Sequence, residues 1–472
     1  MKAETIERIY QLSPLQEGIL FHTLHAPGSG MYVEQFSFTV GGDIDITSLE
    51  RAWQAVVNRH AVLRTSFHWR ELDKPLQVVH REVKLPFDRQ DWLHLPAEAQ
   101  QDRLTAFLRA DRERGFSLSE APLLRLVVIR LAPVSWQLVL SFHHVLLDGW
   151  SVAIVFREAA ALYQAYGQGQ ELRLEPTRPF EDYIAWLQEQ DVAGAEAFWR
   201  RMLEGYRGPA PISVDRAAGR MPDPDERYAS REAKLSRETT AALQGLARTH
   251  QLTLNTLIQG AWAVLLSRYT GNENVVFGAT VSGRPMALTG VESMVGLFIN
   301  TLPVRVQVDP DAPLLPWLKD LQRLQFEARQ FEHTPLVQIH ACSAAPRGVP
   351  LFETLLGFEN FPVDMPQQTD GGAVESRYFG QTNYPLTLIV APADELWVKL
   401  MHACPRFEPD TITRLLGHFE QLLTTMAENP ARRLGELGML TAAERRELAA
   451  WNATDTSYPR EATIHGLFEE QA

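Results

Sequence analysis

His143-His144-Val145-Leu146-Leu147-Asp148-Gly149 (HHVLLDG) closes an apolar run, Trp136 to Phe142 (WQLVLSF), and opens a stretch of different period. Beyond it Val152, Val155, Phe156, Ala160, Leu162 and Tyr163 fall largely on one helical face. The reading is a buried strand, a tight turn and a helix. A strand-to-helix turn leaves backbone N–H groups free at the helix start and lets side chains enter a cleft. A neutral histidine there accepts a proton near neutral pH. An aspartate there can hold the loop through an ion pair, and Gly149 lets a second molecule approach the backbone. Packed, hydrogen-bonded histidines are the competing reading, and spacing alone leaves it open. A shared metal is not expected, because His143 and His144 are adjacent on a strand and point to opposite faces.

The rest of the chain narrows the class. At 472 residues it exceeds a single hydrophobic core, so two lobes are expected. Hydrophobic residues at 45% and charged residues at 22% are an ordinary globular balance. Cys342 and Cys404 are too few for a disulfide framework, which fits a reducing, cytoplasmic setting. No secretory pattern precedes Ser13, and no apolar run reaches the ~18 residues of a membrane span. The net charge of −13 argues against a nucleic-acid partner, which requires a basic surface.

Two halves are legible. The first places a helix on Leu49, Ala52, Trp53, Val56 and Val57, capped by Thr47 or Ser48, beside strands Leu63–Trp69 and Leu124–Arg130. Leu172 to Phe180, with Pro176 and Pro179, reads as an extended crossing. The second half starts with one helix from Tyr183 to Leu203, then a Pro- and Gly-bearing loop from Tyr206 to Arg227. Helices follow from Ser236 and from Thr253 to Tyr269, the latter with an apolar stripe that reads as core. Pro362 to Gly372 reads as a surface loop.

HHVLLDG with Trp150-Ser151 resembles the signature of condensation domains of nonribosomal peptide synthetases, and further family motifs stand in order. Ser13-Pro14-Leu15-Gln16-Glu17-Gly18 resembles the first. Arg59-His60-Ala61-Val62-Leu63-Arg64-Thr65-Ser66-Phe67 matches RHxxLRTxF. Tyr183-Ile184-Ala185-Trp186 is similar to the aromatic motif of the second half. Gly296 to Arg305 (GLFINTLPVR) resembles GxFxNTxxxR, and Asn383-Tyr384-Pro385-Leu386 the late tyrosine-proline motif. The resemblance covers residues 6–440.

It implies an α/β (α+β) fold of the chloramphenicol-acetyltransferase type: two pseudo-dimeric lobes, each a mixed sheet flanked by helices, with a tunnel between them. The expected division is 1–176, 177–440, and a linker of 441–472 toward an adenylation domain. The implied reaction is peptide-bond formation, in which an acceptor's α-amine attacks a donor's thioester. Both substrates would arrive on 4′-phosphopantetheine arms of carrier proteins, so the chain itself would bind no cofactor and no metal. Among the site residues, His144 would act as base or orient the amine, and the Gly149 N–H would meet the oxyanion. His143 and Asp148 would hold the loop, with Arg284 preferred over Arg64 as the partner of Asp148. Trp150, Ser151, Asn300 and Tyr384 would pack nearby or line the tunnel. Cyclising relatives carry aspartates in place of the two histidines. Epimerising relatives share HHxxxDG, but GLFINTLPVR and the ending from Trp451 to Gln471 resemble condensing members. Noncatalytic recruitment domains of the same fold and coenzyme A-dependent acyltransferases stay as alternatives.

Overall fold

A computed structural model describes residues 5–26, 28–212, 214, 228–359, 368–369, 372–373, 376–455 and 462–472. Two mixed sheets organise it. The first has five strands in the order Ser376–Phe379, Val33–Gly41, Ser135–His143, Leu124–Ala132 and Phe87–Asp91, with only the last pair parallel. Alternation along Ser135–His143 assigns its faces. Leu138, Leu140 and Phe142 join the core shared with helices Ile46–Arg59 and Gly149–Gly167, whereas Val139 packs with Leu104 and Leu108 of helix Ala97–Arg114. An antiparallel three-stranded sheet (Ile6–Gln11, Leu76–His80, Thr65–His68) stands beside it.

The second sheet has six strands in the order Asn300–Gln307, Asn274–Val281, Thr354–Phe358, Leu386–Ala391, Trp397–Ala403 and Tyr228–Lys234. Thr354–Phe358 is parallel to both neighbours and the other pairs are antiparallel. Leu386, Leu388, Val390, Val398 and Leu400 face helices Leu254–Thr270 and Pro409–Glu428, forming a core around Trp262 and Phe419. The intervening residues Gly357, Ile389 and Lys399 therefore point the other way.

The halves are not separate along the chain. Strand Ser376–Phe379 comes from the second half yet pairs with Val33–Gly41 of the first, Tyr378 opposite Phe36. Val295 and Leu297 are likewise buried in the first half's core.

Local expectations differ from the structure at three places. Asp45, not Thr47 or Ser48, caps the Ile46–Arg59 helix, its Oδ1 accepting from the N–H groups of Thr47 at 3.0 Å and Ser48 at 3.2 Å. The single helix expected from Tyr183 to Leu203 is two, Glu181–Gln188 and Val192–Met202, because Asp191 starts a new helix by capping Gly194 N–H at 3.0 Å. Leu63 and Arg64 lie in a 3₁₀ turn, so the strand starts only at Thr65. Most of the expected loop from Tyr206 to Arg227, and most of that from Pro362 to Gly372, lies outside the described residues.

Trp262 is fully enclosed, at 0% exposure. Trp262→Ala should destabilise the chain by about 3–5 kcal/mol, read as a lower urea midpoint. An unchanged midpoint would contradict its place in this core.

Candidate active site

The HHVLLDG turn sits where the two halves meet. His143 ends its strand opposite Val33, and the ladder continues one step further through His144 N–H to Tyr32 C=O at 2.8 Å. Strand alternation then sends the two imidazoles to different surroundings.

His143 is 1% exposed. Its Nδ1 accepts from the Val145 N–H at 3.2 Å, which places the proton on Nε2. Nε2 lies 3.2 Å from Thr23 Oγ1, and the Thr23 hydroxyl donates to Ile19 C=O at 2.8 Å, leaving a lone pair to accept. Both nitrogens of the neutral ring are thus engaged. Burial foremost, then neighbouring His144, pushes the His143 pKa down to about 3. His143 is a fixed, uncharged strut.

His144 is only half-buried. Its Nδ1 stands 2.7 Å from the Leu147 carbonyl, an acceptor only, so Nδ1 carries the hydrogen and donates it. Nε2 keeps its lone pair. A turn three residues long thereby fixes both the ring's orientation and its tautomer.

Asp148 does three things at once. It caps the Gly149–Gly167 helix, Oδ1 accepting from Ser151 N–H at 2.8 Å. Oδ2 accepts from Phe298 N–H at 3.0 Å, on the segment leading into strand Asn300–Gln307. Arg284 Nη2 completes the set at 3.2 Å from Oδ1, with side-chain exposures of 6% for Arg284 and 0% for Asp148. Arg284 also donates to the carbonyls of Val291 at 2.6 Å and Met294 at 3.0 Å, and to Ser151 Oγ at 2.8 Å. Gly283 precedes it at φ +61°, and a β-carbon there would overlap the Phe298 carbonyl, so the close crossing needs glycine.

The remaining candidates divide by their surroundings, and Arg64 departs from its expected place. Arg64 does not reach Asp148. It holds Glu7 at 2.7 Å and the carbonyls of His80 and Arg81, beside a separate cavity of about 150 Å³ that Arg59, His60 and Arg178 also line. Ser151 is not tunnel lining: at 0% exposure its hydroxyl donates to Gly296 C=O at 2.7 Å and accepts from Gly296 N–H at 3.0 Å. The Asn300 amide is likewise engaged, donating to the carbonyls of Glu332 and Thr334 at 2.8 Å each. Trp150 is half-buried and donates its indole N–H to Glu292 C=O at 2.9 Å. Tyr384, half-buried, stacks on Phe352 at 5.5 Å between ring centres.

Thr23, Tyr32, Glu34 and Tyr378 escape a reading of the sequence. Glu34 carries a signal, since it interrupts the inward Phe36, Phe38 face of its strand with a charge. Among the described residues, no group of three His, Cys, Asp or Glu side chains is arranged to hold a metal. No helix among them is long and apolar enough to cross a membrane.

This chain matches the condensation-domain family over residues 6–449 and belongs to that family, whose function in nonribosomal peptide synthesis is peptide-bond formation. It is similar to two of the proteins that make up the linear gramicidin synthase of Brevibacillus parabrevis. With one it is 46% identical over 480 residues, covering 99% of this chain and 9% of that protein. With the other it is 45% identical over 473 residues, covering 99% and 6%. The chain thus spans at most 9% of the length of these relatives. Among solved structures it is similar to the starter condensation domain of rhizomide synthetase, bound to C8-CoA (20% identity, TM-score 0.78, covering 92% of this chain and 98% of that one). It is similar also to the X-domain from teicoplanin biosynthesis (24% identity, TM-score 0.76, covering 93% and 99%). These likenesses establish the chloramphenicol-acetyltransferase-like fold.

Two measurements test the loop. Asp148→Ala leaves the Arg284 guanidinium buried without its counter-charge and should destabilise the chain by about 3–5 kcal/mol, more than His144→Ala. Adding Arg284→Met should recover part of that loss; a strictly additive pair would contradict the coupling. The second concerns acid. The unfolded chain binds a proton at His143 near pH 6.5 and the folded chain binds it only near pH 3, so the stability that neutral His143 contributes is complete above pH 6.5 and declines as pH falls toward 3. His143→Gln should flatten the pH dependence of stability by at most about 1.4 kcal/mol per pH unit below 6.5. An unchanged slope in urea titrations at pH 5 and pH 7 would refute this.

Proposed function

We propose that this chain joins an acceptor α-amine to a donor acyl thioester, both carried on phosphopantetheine arms, at His144. The observation that carries the reading is the Leu147 carbonyl 2.7 Å from His144 Nδ1, which leaves Nε2 as the lone-pair acceptor. An amine N–H bound there is oriented for attack. Once the C–N bond forms, Nε2 takes the proton and can return it to the departing thiolate, so no ATP or metal enters this step. The N–H groups of Gly149 and Trp150 begin a helix, where the intrahelical ladder supplies no acceptor. The Gly149 N–H is suited to the tetrahedral oxyanion.

Magnitudes apportion the work. An α-amine with a pKa of about 8 already has a usable neutral fraction near pH 7. Holding two tethered reactants in line can lower the barrier by roughly 7 kcal/mol or more. General base help adds about 10²–10⁴-fold. The larger share therefore comes from the junction between the halves that holds both substrates.

The reading carries a setting with it: an N-terminal lobe of 1–176, a C-terminal lobe of 177–440, and a segment of 441–472 leading to an adenylation domain. A donor and an acceptor carrier protein would approach from opposite mouths of a tunnel between the lobes, in the cytoplasm. Gly149, His143, Asp148 and Arg284 serve His144, and Trp150 and Tyr384 border the path.

The test supplies a donor-loaded and an acceptor-loaded carrier and follows acyl transfer by intact mass of the acceptor. His144→Ala should slow transfer by about 10²–10⁴-fold with an unchanged melting temperature. Wild-type turnover by that variant would end the assignment. Equal use of a free coenzyme A thioester would favour a stand-alone acyltransferase, and no transfer by the wild-type chain a recruitment role.

A further inference from the structure

Four ionisable side chains that the loop does not use converge between the two sheets on the His144 side. Glu34, 3% exposed, lies opposite Phe142 in the ladder, while Tyr32 lies opposite His144. Glu34 is therefore one same-face step from His144, a diagonal of roughly 7–8 Å. The Tyr378 hydroxyl, on the crossed-over strand, donates to Glu34 Oε2 at 2.6 Å. Behind both, Gly380 has no room for a side chain, since a β-carbon would overlap Glu34 Oε2 and the Tyr378 hydroxyl.

From the other sheet come Glu359 and Lys399. The alternation that buries Leu356, Val390, Val398 and Leu400 toward the helices turns Gly357, Glu359 and Lys399 toward the first sheet. Glu359 is held there by its own N–H on Val390 C=O at 2.8 Å. Lys399 Nζ stands 5.9 Å from the Tyr378 ring centre, closing the gap between the sheets, and 3.4 Å from Glu232. Tyr378 keeps 44% exposure although it contacts both sheets.

Charge is unbalanced here. Among the described residues Glu34 and Glu359 share one permanent cation, Lys399, which also serves Glu232. Tyr32 and Tyr384 border the cluster as neutral phenols, their pKa values raised by burial. Among the described residues the Glu359 carboxylate makes no hydrogen bond. One further cation would complete the set, and the partly exposed Tyr378 marks the side of the cluster that faces solvent.

We propose that Glu34 and Glu359 form the subsite that receives the acceptor's α-ammonium group and removes its proton, delivering a neutral amine to His144 Nε2. This rests on the reading of His144 above and names the group that prepares its substrate. The ammonium N–H bond breaks and a carboxylate O–H bond forms. The amine lone pair then attacks the thioester carbon, the C–S bond breaks, and the thiolate takes the second proton through His144. The carboxyl releases its own proton to water when the product leaves. Burial raises both carboxyl groups, Glu359 to about 7, while Lys399 and His144 pull each back down. A carboxyl titrating near 7 is matched to an α-ammonium of about 8.

The experiment compares two acceptors on the same carrier: the ordinary α-amine and an aminooxy analogue, whose nitrogen is neutral at pH 7. Glu359→Gln and Glu34→Gln should slow transfer to the amine by roughly tenfold or more at pH 6.5 and recover toward wild type at pH 8.5. Transfer to the aminooxy acceptor should stay at the wild-type rate throughout. Tyr378→Phe alters the cluster without removing a charge. It withdraws a hydrogen bond from the Glu34 carboxylate, and should move the acid limb to higher pH for the amine only. Equal losses on both acceptors at every pH, or no loss on either, would overturn the proposal. His144→Ala separates the two readings: it should slow both acceptors, and if it slowed neither, the assignment of His144 would fail first.

Discussion

The carboxylate of Asp148 is the constraint from which the rest follows. Removed from water, a carboxylate costs several kcal/mol that only good partners offset. Here they come from three chain segments: the Ser151 N–H on its own helix, the Phe298 N–H, and the Arg284 guanidinium. The last two belong to the second half. Neither half alone can therefore shelter this charge, and joining them satisfies it. Ser151 adds a reciprocal pair of bonds with Gly296, and Val295 and Leu297 plug the first half's core. The clamp that assembles the fold also lies next to His144, so its rigidity reaches that imidazole through one residue of loop.

Adjacent histidines of one sequence acquire opposite chemistry by the same means. Strand geometry turns one ring inward, where Thr23 and the Val145 N–H exhaust both its nitrogens. The other turns toward the junction, where a single carbonyl takes Nδ1–H and nothing on its own loop takes Nε2. The division is set by which acceptors the backbone presents. An inward His143 with a pKa near 3 therefore stays uncharged beside His144.

How much of this is legible in the sequence depends on whether the information is local. The strand, turn and helix around HHVLLDG can be read from period alone, because a change of period records which face is buried. Arg284 is preferred over Arg64 already from its motif, and the fold supplies the reason: Arg284 meets Asp148, whereas Arg64, equally buried, is taken by Glu7. Asn300 misleads because a polar residue next to a motif resembles a ligand-facing one, whereas it fills a backbone bonding deficit, as Ser151 does in keeping with its packing reading. Asp45 is hidden as a helix cap because Thr47 and Ser48 are equally good caps two and three residues later. Strand Ser376–Phe379 is illegible in principle. Its partner lies more than 300 residues away, at a register of Tyr378 on Phe36 that no local pattern encodes.

The fold by itself does not decide between chemistry and recruitment, since a condensation domain and an X-domain fit this chain about equally well. What can separate them is the loop's internal division of labour. The Asp148–Arg284 clamp, the His143 strut and the Ser151–Gly296 pair spend their hydrogen bonds on one another and on the backbone, and would serve any member of the fold as structure. His144 Nε2, the helix-start N–H groups and the Glu34–Tyr378–Glu359–Lys399 cluster, by contrast, are not needed to hold the loop in place. A domain that merely bound partners would gain nothing by keeping two carboxylates and a lysine partly desolvated between its sheets, because an apolar filling of equal volume is often neutral or more stable. Their retention beside an open imidazole is the argument for chemistry at this junction.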